Sequence, residues 1–295
     1  MATDFITNIE RFFKQKSVLS NLIAINIIIF LVIKIVSVIL LLFRIDAFAF
    51  LQLLELPASI TSVLYRPWTL ITYMFTHLDF FHILFNLLCL YWFGQIFLLF
   101  FKPKQLGGLY ILGGIMGGLL FILSYNLFPY FNLLIKWSFL KGASASVMAI
   151  IFACAIYKKD FEVRLMFIGN VKLIYIASAL FILDFIYIIS DNSGGHIAHI
   201  GGALTGVWFA LAYTKKVDIT LYINKAIDAV VDFFTKKPQK TKVNTKHKRP
   251  ETDYEYNKRK NDEKKEIDII LGKIKKSGYN SLSEKEKKTL FDAKK

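Results

Sequence analysis

The sequence predicts an all-α membrane protein, with six spanning helices followed by a small helical tail. Two observations carry that expectation. The 295 residues are 55% hydrophobic with a mean hydropathy of +0.47, whereas a soluble domain averages about 45–50% apolar. The apolar residues also gather in runs confined to the first 214 positions. Residues 215–295 hold 23 of the 37 Lys and Arg but only 13 of the 22 Asp and Glu, so the tail carries +10 of the net +15. A membrane region therefore precedes a basic, water-soluble extension.

The six expected spans run Val18 to Phe43, Phe80 to Phe101, Leu106 to Phe128, Gly142 to Tyr157, Val171 to Ser190 and Ile197 to Tyr213. A spanning helix needs ~20 residues to cross a ~30 Å hydrocarbon core. The first carries Lys34 as its single charge. The fourth has 16 residues and at ~1.5 Å per residue reaches only ~24 Å. It is expected to start or stop below the membrane surface, an arrangement tolerated where the irregular end lines a cavity. The first 16 residues mix polar and aromatic side chains, and the run behind them is too long for a cleavable signal. Cys89 and Cys154 both lie in apolar segments and read as small buried hydrophobes, not as a disulfide. The expected divisions are an N-terminal stretch 1–17, a membrane domain 18–214, an amphipathic segment and basic linker 215–262, and a helical hairpin 263–295.

Basic residues beside the spans set the expected orientation. Arg11, Lys14 and Lys16 precede the first span, and Lys102 and Lys104 follow the second. Lys158, Lys159, Arg164 and Lys172 separate the fourth from the fifth, and Lys215 and Lys216 follow the sixth. All of these fall on one side, read as cytoplasmic together with both termini. Arg44, Arg66, Lys136 and Lys141 are scattered over the opposite loops.

Within this apolar sequence, Ser144 (in Gly142-Ala143-Ser144-Ala145-Ser146) and His199 (in Ala198-His199-Ile200-Gly201-Gly202) stand out. Polar and ionisable groups at membrane depth are costly and mark functional sites. A Ser and a His that meet form a nucleophile with its base. The expected topology places both near the outer ends of their spans, at one level. His82 and Asn86, four apart on one helix face, lie at that level too. Such a pair often serves only to join helices by hydrogen bonds. Beside a Ser–His pair, the two become candidate donors to an oxyanion. Asp79 is the expected N-cap of their helix.

The set His82-xxx-Asn86, Gly142-x-Ser144 and Ala198-His199-xx-Gly202-xxx-Gly206, spread over spans two, four and six, resembles the rhomboid intramembrane serine proteases. The stretch Arg66-Pro67-Trp68 through His77 is similar to that family's approach to its second span. The resemblance covers about residues 15 to 214. It implies a six-span bundle whose Ser–His dyad cleaves peptide bonds in or beside the transmembrane segments of membrane proteins. It assigns Ser144 as nucleophile and His199 as general base, with His82, Asn86 and the Ser144 backbone N–H as the oxyanion hole. It implies a multi-pass protein of the cell membrane with its site toward the outer leaflet, needing no cofactor or metal.

Local features fit that reading. Gly142 permits a tight turn into a helix whose positive end lies at Ser144. Gly202 and Gly206 form a small-residue face for close approach to a neighbouring helix; if that neighbour is the fourth span, His199 comes within proton-transfer reach of Ser144. Gly113, Gly114, Gly117 and Gly118 form another such face. Departures from the family pattern are Ala145 in place of Gly, Met148 in place of a Tyr packed on the histidine, and Arg66 and Trp68 in place of a Trp-Arg pair. No acidic third member is expected at matching depth. Asp184, inside the fifth span, reads as a structural hydrogen-bonding group or the partner of another buried polar group. Ser146 should point away from the partner of Ser144. His196 competes with His199 as base, but the glycine spacing favours His199. His77 reads as structural. A metal reading of His77, Asp79 and His82 is minor beside the Gly-x-Ser companion.

The loop from Arg44 to Phe75 is rich in Phe and Leu and is expected to lie in the outer leaflet as short helices. The similarly apolar stretch Tyr125 to Leu140 is expected to dip toward the site. In the tail, Asp218 to Phe234 reads as an interfacial amphipathic helix. Residues 236–260, with ten Lys or Arg and two prolines, read as a disordered linker drawn to anionic lipid. Residues 263–295 read as a helical hairpin, with Ser283-x-x-Glu286 capping its second helix. Nucleic acid is not an expected partner. The alternative to a protease is an inactive relative that binds membrane helices without cutting them. A transporter would need internal repeats, which are absent from the sequence.

Overall fold

The computed structural model describes residues 12–14, 17–165, 169–235 and 252–293. The chain divides into two compact units, Met1–Thr235 and Lys236–Lys295, and both are mainly helical.

In the first unit the principal helices are α1 (Val18–Leu42), α2 (Phe80–Phe100), α3 (Pro103–Leu127), α4 (Ser144–Tyr157), α5 (Leu173–Ile186), α6 (Ser193–Thr214) and α7 (Leu221–Thr235). Four of them, α1, α2, α3 and α6, are long and apolar enough to cross a membrane. Helices α4 and α5 are apolar but have 14 residues each. The fourth span is thus shorter still than expected. The fifth loses its first residues to a strand, because Val171 and Lys172 belong to a hairpin of β3 (Glu162–Leu165) and β4 (Gly169–Lys172).

Helix starts follow local chemistry. The Ser17 hydroxyl accepts from the Ser20 N–H at 3.1 Å, and the Asp79 carboxylate accepts from the His82 N–H at 2.9 Å, as the cap pattern predicts. Pro103 sits in the first turn of α3, where its missing N–H costs nothing.

The first unit is built around α4. Every residue from Ala145 to Ala155 is buried, although beyond Ser144 and Ser146 the helix is apolar all round and no stripe of polar residues singles out an inner face. What buries it is small residues on its neighbours. A Cβ added to Gly202 or Gly206 of α6 would run into the Ala145 or Ala149 carbonyl, and one added to Gly113 or Gly117 of α3 would meet the Ala149 or Ala145 methyl. The two glycine faces expected from sequence therefore grip α4 from two sides, which is how helices associate where lipid removes the hydrophobic drive. Helix α1 is peripheral. Six of its 25 residues are buried, and Ile28, Leu31, Val32 and Ile35 lie exposed on an apolar face suited to lipid.

The apolar loop between α1 and α2 folds into short helices at Phe48–Leu51, Ile60–Tyr65 and Thr69–Thr72, as expected. Three side chains fasten it to successive carbonyls: Arg66 to Gln52 at 2.6 Å, Trp68 to Leu53 at 2.9 Å and Thr72 to Leu54 at 2.8 Å. The rearranged Arg66 and Trp68 thus act together on one turn. This loop also supplies β1 (Leu56–Pro57), which pairs antiparallel with β2 (Phe139–Leu140) just ahead of α4. Helix α7 lies against the start of α3, where Lys104 reaches Asp228 at 2.7 Å and Gln105 reaches Asp218 at 2.9 Å.

The second unit holds α8 (Asp253–Ser277) and α9 (Glu284–Asp292). Thr252 and Glu255 form a capping box, so α8 begins at Asp253 and not at the expected Glu263. The end of the expected basic linker is therefore helical, and its residues 236–251 lie outside the described residues. Ser283 and Glu286 cap α9 as the sequence predicts. The Glu286 carboxylate also takes Lys273 of α8 at 2.9 Å, which brings the pair together. Lys273 and the Ser283 cap hold that carboxyl down at about 2.

Candidate active site

Ser144 is placed by the turn that opens α4. Gly142 has φ +110°, a conformation that side-chain-bearing residues rarely adopt. Its N–H donates to the Tyr73 carbonyl at 2.9 Å, and the next N–H, of Ala143, donates to His77 Nε2 at 3.3 Å. Just before them Lys141 pairs with the buried Glu55 at 3.1 Å. His77 is fully buried. Burial, and next the His82 ring beside it, push it down to about 4, so at neutral pH its Nε2 is free to accept. The structural reading of His77 gains a specific content here, because it props the residue ahead of Ser144.

His199 reaches Ser144 through the Gly202 approach. Gly202 lies one turn beyond His199, and its contact with the Ala145 carbonyl brings α6 backbone against α4 backbone beside Ser144. His199 Nε2 lies 2.6 Å from Ser144 Oγ, within the ~2.6–3.2 Å required for proton transfer. The other nitrogen, Nδ1, lies 2.8 Å from Asp184 Oδ1. His196 Nδ1 lies 2.8 Å from the same oxygen.

The expectation that no carboxylate stands behind His199 is therefore corrected. Asp184 is on the last turn of α5, and the short turn to α6 folds it back onto both imidazoles. A signal was present in the sequence. A buried carboxylate needs donors, and two histidines three apart share one helix face. His196 is not at the serine but at Asp184, stacked on Tyr187 with centroids 5.9 Å apart and edge-on to His199 at 6.0 Å. Met148 lines the cavity, and the ring beside His199 comes from residue 196, edge-on. Ser146 points away as expected, into the buried contact with Met74 and Gly114.

His82 and Asn86 line the same cavity of about 640 Å³ as Ser144, Asp184 and His199. The Nε2 edge of His82 faces Gly142, where an added Cβ would come within 2.8 Å of it. Asn86 donates one amide hydrogen to the His82 carbonyl at 2.8 Å. Asp184, His196 and His199 also carry the ligand types of a divalent-metal site, with ligand atoms within 4.8 Å of one another. Those atoms are engaged with each other or with Ser144. Asp79 serves as a helix cap, and His77 and His82 pack ring against ring at 5.2 Å.

A mostly helical chain with several apolar, membrane-crossing helices around a buried polar cluster defines a multi-pass membrane protein. Residues 65–216 match the Rhomboid domain, slightly over half of the chain. The protein belongs to the rhomboid family. Residues 251–292, the α8–α9 pair, match a family of unknown function, DUF6576. No curated protein matches the chain.

Proposed function

We propose that the protein is an intramembrane serine protease acting on transmembrane proteins in the bilayer, with Ser144 as nucleophile and His199 as general base. The observation that carries this reading is the 2.6 Å approach of His199 Nε2 to Ser144 Oγ, inside a cavity bordered by apolar helices. Rhomboid proteins are generally intramembrane serine proteases, and the matched segment contains both residues.

In this mechanism His199 Nε2 takes the Ser144 proton as Oγ bonds to the carbonyl carbon of the scissile peptide. The carbonyl electron pair moves onto its oxygen. Donors for that oxyanion are the Ser144 backbone N–H at the positive end of α4, the His82 ring and the second amide hydrogen of Asn86. The His199 imidazolium then protonates the leaving nitrogen and the C–N bond breaks. Water, deprotonated by the same imidazole, hydrolyses the acyl-enzyme and restores Ser144. The protein would lie in the cell membrane as a six-span bundle, α4 and α5 being its short members. Both termini would be cytoplasmic, the site would face the outer leaflet, and the basic tail would contact anionic lipid.

A serine-directed fluorophosphonate tests this reading. It should label the wild type and not Ser144→Ala; equal labelling of both refutes the nucleophile. His199→Ala should abolish cleavage of a single-span substrate while His196→Ala lowers it but leaves it readily measurable, and the reverse would move the base to His196.

A further inference from the structure

Resting on that reading, we propose that Asp184 is the positioning residue of His199, so that the site works as a Ser–His–Asp triad, and that His196 anchors the carboxylate in that role. To accept from Ser144, Nε2 of the neutral His199 ring must be bare, so its single hydrogen belongs on Nδ1. That hydrogen needs an acceptor in a mostly apolar site, and Asp184 Oδ1 stands 2.8 Å away. Without it the ring has no reason to prefer the productive tautomer or to hold its plane toward Ser144. When Nε2 takes the serine proton, the ring becomes an imidazolium with a hydrogen on each nitrogen. Asp184 remains a carboxylate and faces that new charge at hydrogen-bond distance. The proton travels only between Ser144, His199 and the leaving nitrogen, so no other reactant is required.

Burial shows why a second histidine is present. Asp184 is 7% exposed, and a carboxylate at that depth is stable only when donors surround it. His196 Nδ1 supplies one at 2.8 Å to the same oxygen that faces His199. Two donors fix Oδ1 in direction, so the carboxylate does not swing away as the His199 ring shifts during the reaction. The His196 ring is itself held by Tyr187. The turn that sets α5 against α6 is closed by Ser193, whose hydroxyl donates to the Ser190 carbonyl at 2.5 Å and accepts from the Ser190 N–H at 3.3 Å. Asp184 thus acts from a defined position on a neighbouring helix.

The test uses the full chain in lipid vesicles, with cleavage kinetics, fluorophosphonate labelling rate and thermal unfolding measured together. Asp184→Asn should lower kcat about 100-fold or more, with KM within about three-fold and little change in unfolding temperature. The labelling rate should fall in parallel, and Asp184→Asn added to His199→Ala should lower it no further, because both changes disable the same imidazole. Asp184→Ala should regain activity saturably with added formate, a carboxylate small enough for the vacated space. His196→Gln should cost about three- to ten-fold in kcat. A purely structural Asp184 would instead lower the unfolding temperature and raise KM, with labelling tracking the folded fraction and no formate effect. That pattern, or an Asp184→Asn kcat within five-fold of wild type, overturns the proposal. Should Asp184→Asn not fold, the formate response of Asp184→Ala and the His196→Gln kinetics decide. Failure of the protease reading is a separate outcome, seen as Ser144→Ala labelling like the wild type.

Discussion

Gly202→Ala offers the sharpest test of how the site is assembled. A Cβ built at Gly202 collides with the Ala145 carbonyl oxygen, next to Ser144. The built Cβ lies at least about 1 Å inside the roughly 3.3–3.6 Å that ordinary carbon–oxygen contact needs, so the single methyl forces α6 and α4 apart by at least about 1 Å. His199 and Ser144 sit within one turn of that contact, and their 2.6 Å hydrogen bond would open to roughly 3.6 Å or more, beyond hydrogen-bond range. Overpacking of this kind costs about 1–3 kcal/mol, which leaves a folded protein. Misplacing reacting groups by about 1 Å costs on the order of 100-fold in rate. The expected result is therefore a folded variant with activity down about 100-fold. Activity is read as cleavage of a single-span reporter, and folding as thermal unfolding in detergent. Wild-type cleavage by Gly202→Ala, at wild-type stability, would show that the close approach does not set the Ser144–His199 distance.

Gly142→Ala should cost about 1–2 kcal/mol from its positive φ and also push the His82 ring off the turn, lowering the fluorophosphonate labelling rate at least ten-fold. His77 predicts an acid-side loss of stability. Folded, it resists protonation down to about 4; unfolded, it titrates near 6.5. The unfolded state therefore binds more protons between those values, and stability falls as pH drops through that window, by about 3 kcal/mol when complete. Comparing unfolding of the wild type and His77→Gln at pH 7 and pH 4.5 checks this, since the variant should lose less. A chain ending at Thr235 should keep wild-type Ser144 labelling while binding anionic vesicles more weakly at low salt.

Much of this molecule is legible in its sequence because lipid imposes simple rules. Apolar runs locate the long helices within a few residues, and Gly202 and Gly206 announce a close helix contact, whose partner α4 only the structure identifies. Caps at Asp79 and Ser283 were readable because they depend on residues three positions apart. The role of Asp184 was not readable from its span alone. It depends on a turn between two helices that folds a side chain back across 12 and 15 residues, and hydropathy is blind to that geometry. The early end of α5 at Ile186 creates that turn, whereas a run of apolar residues to Ser190 suggested a longer helix. The start of α8 at Asp253 was hidden because a Lys- and Glu-rich helix carries no apolar period at its first turns, and only the Thr252–Glu255 box marks it. His77 reads as structural from the sequence, but its partner, a backbone N–H 66 residues away, has no sequence signature.

The glycine contacts on two sides of α4 have a mechanical consequence. Backbone meets backbone on the α6 side and only alanine methyls on the α3 side, which leaves no long, compliant side chains to absorb a load, so α3, α4 and α6 should resist tension as one block. Pulled from its N-terminus out of a bilayer, the protein should yield α1 first, at low force. The three clamped helices should then leave in a single larger step, with Ser144 and His199 still facing each other until that rupture.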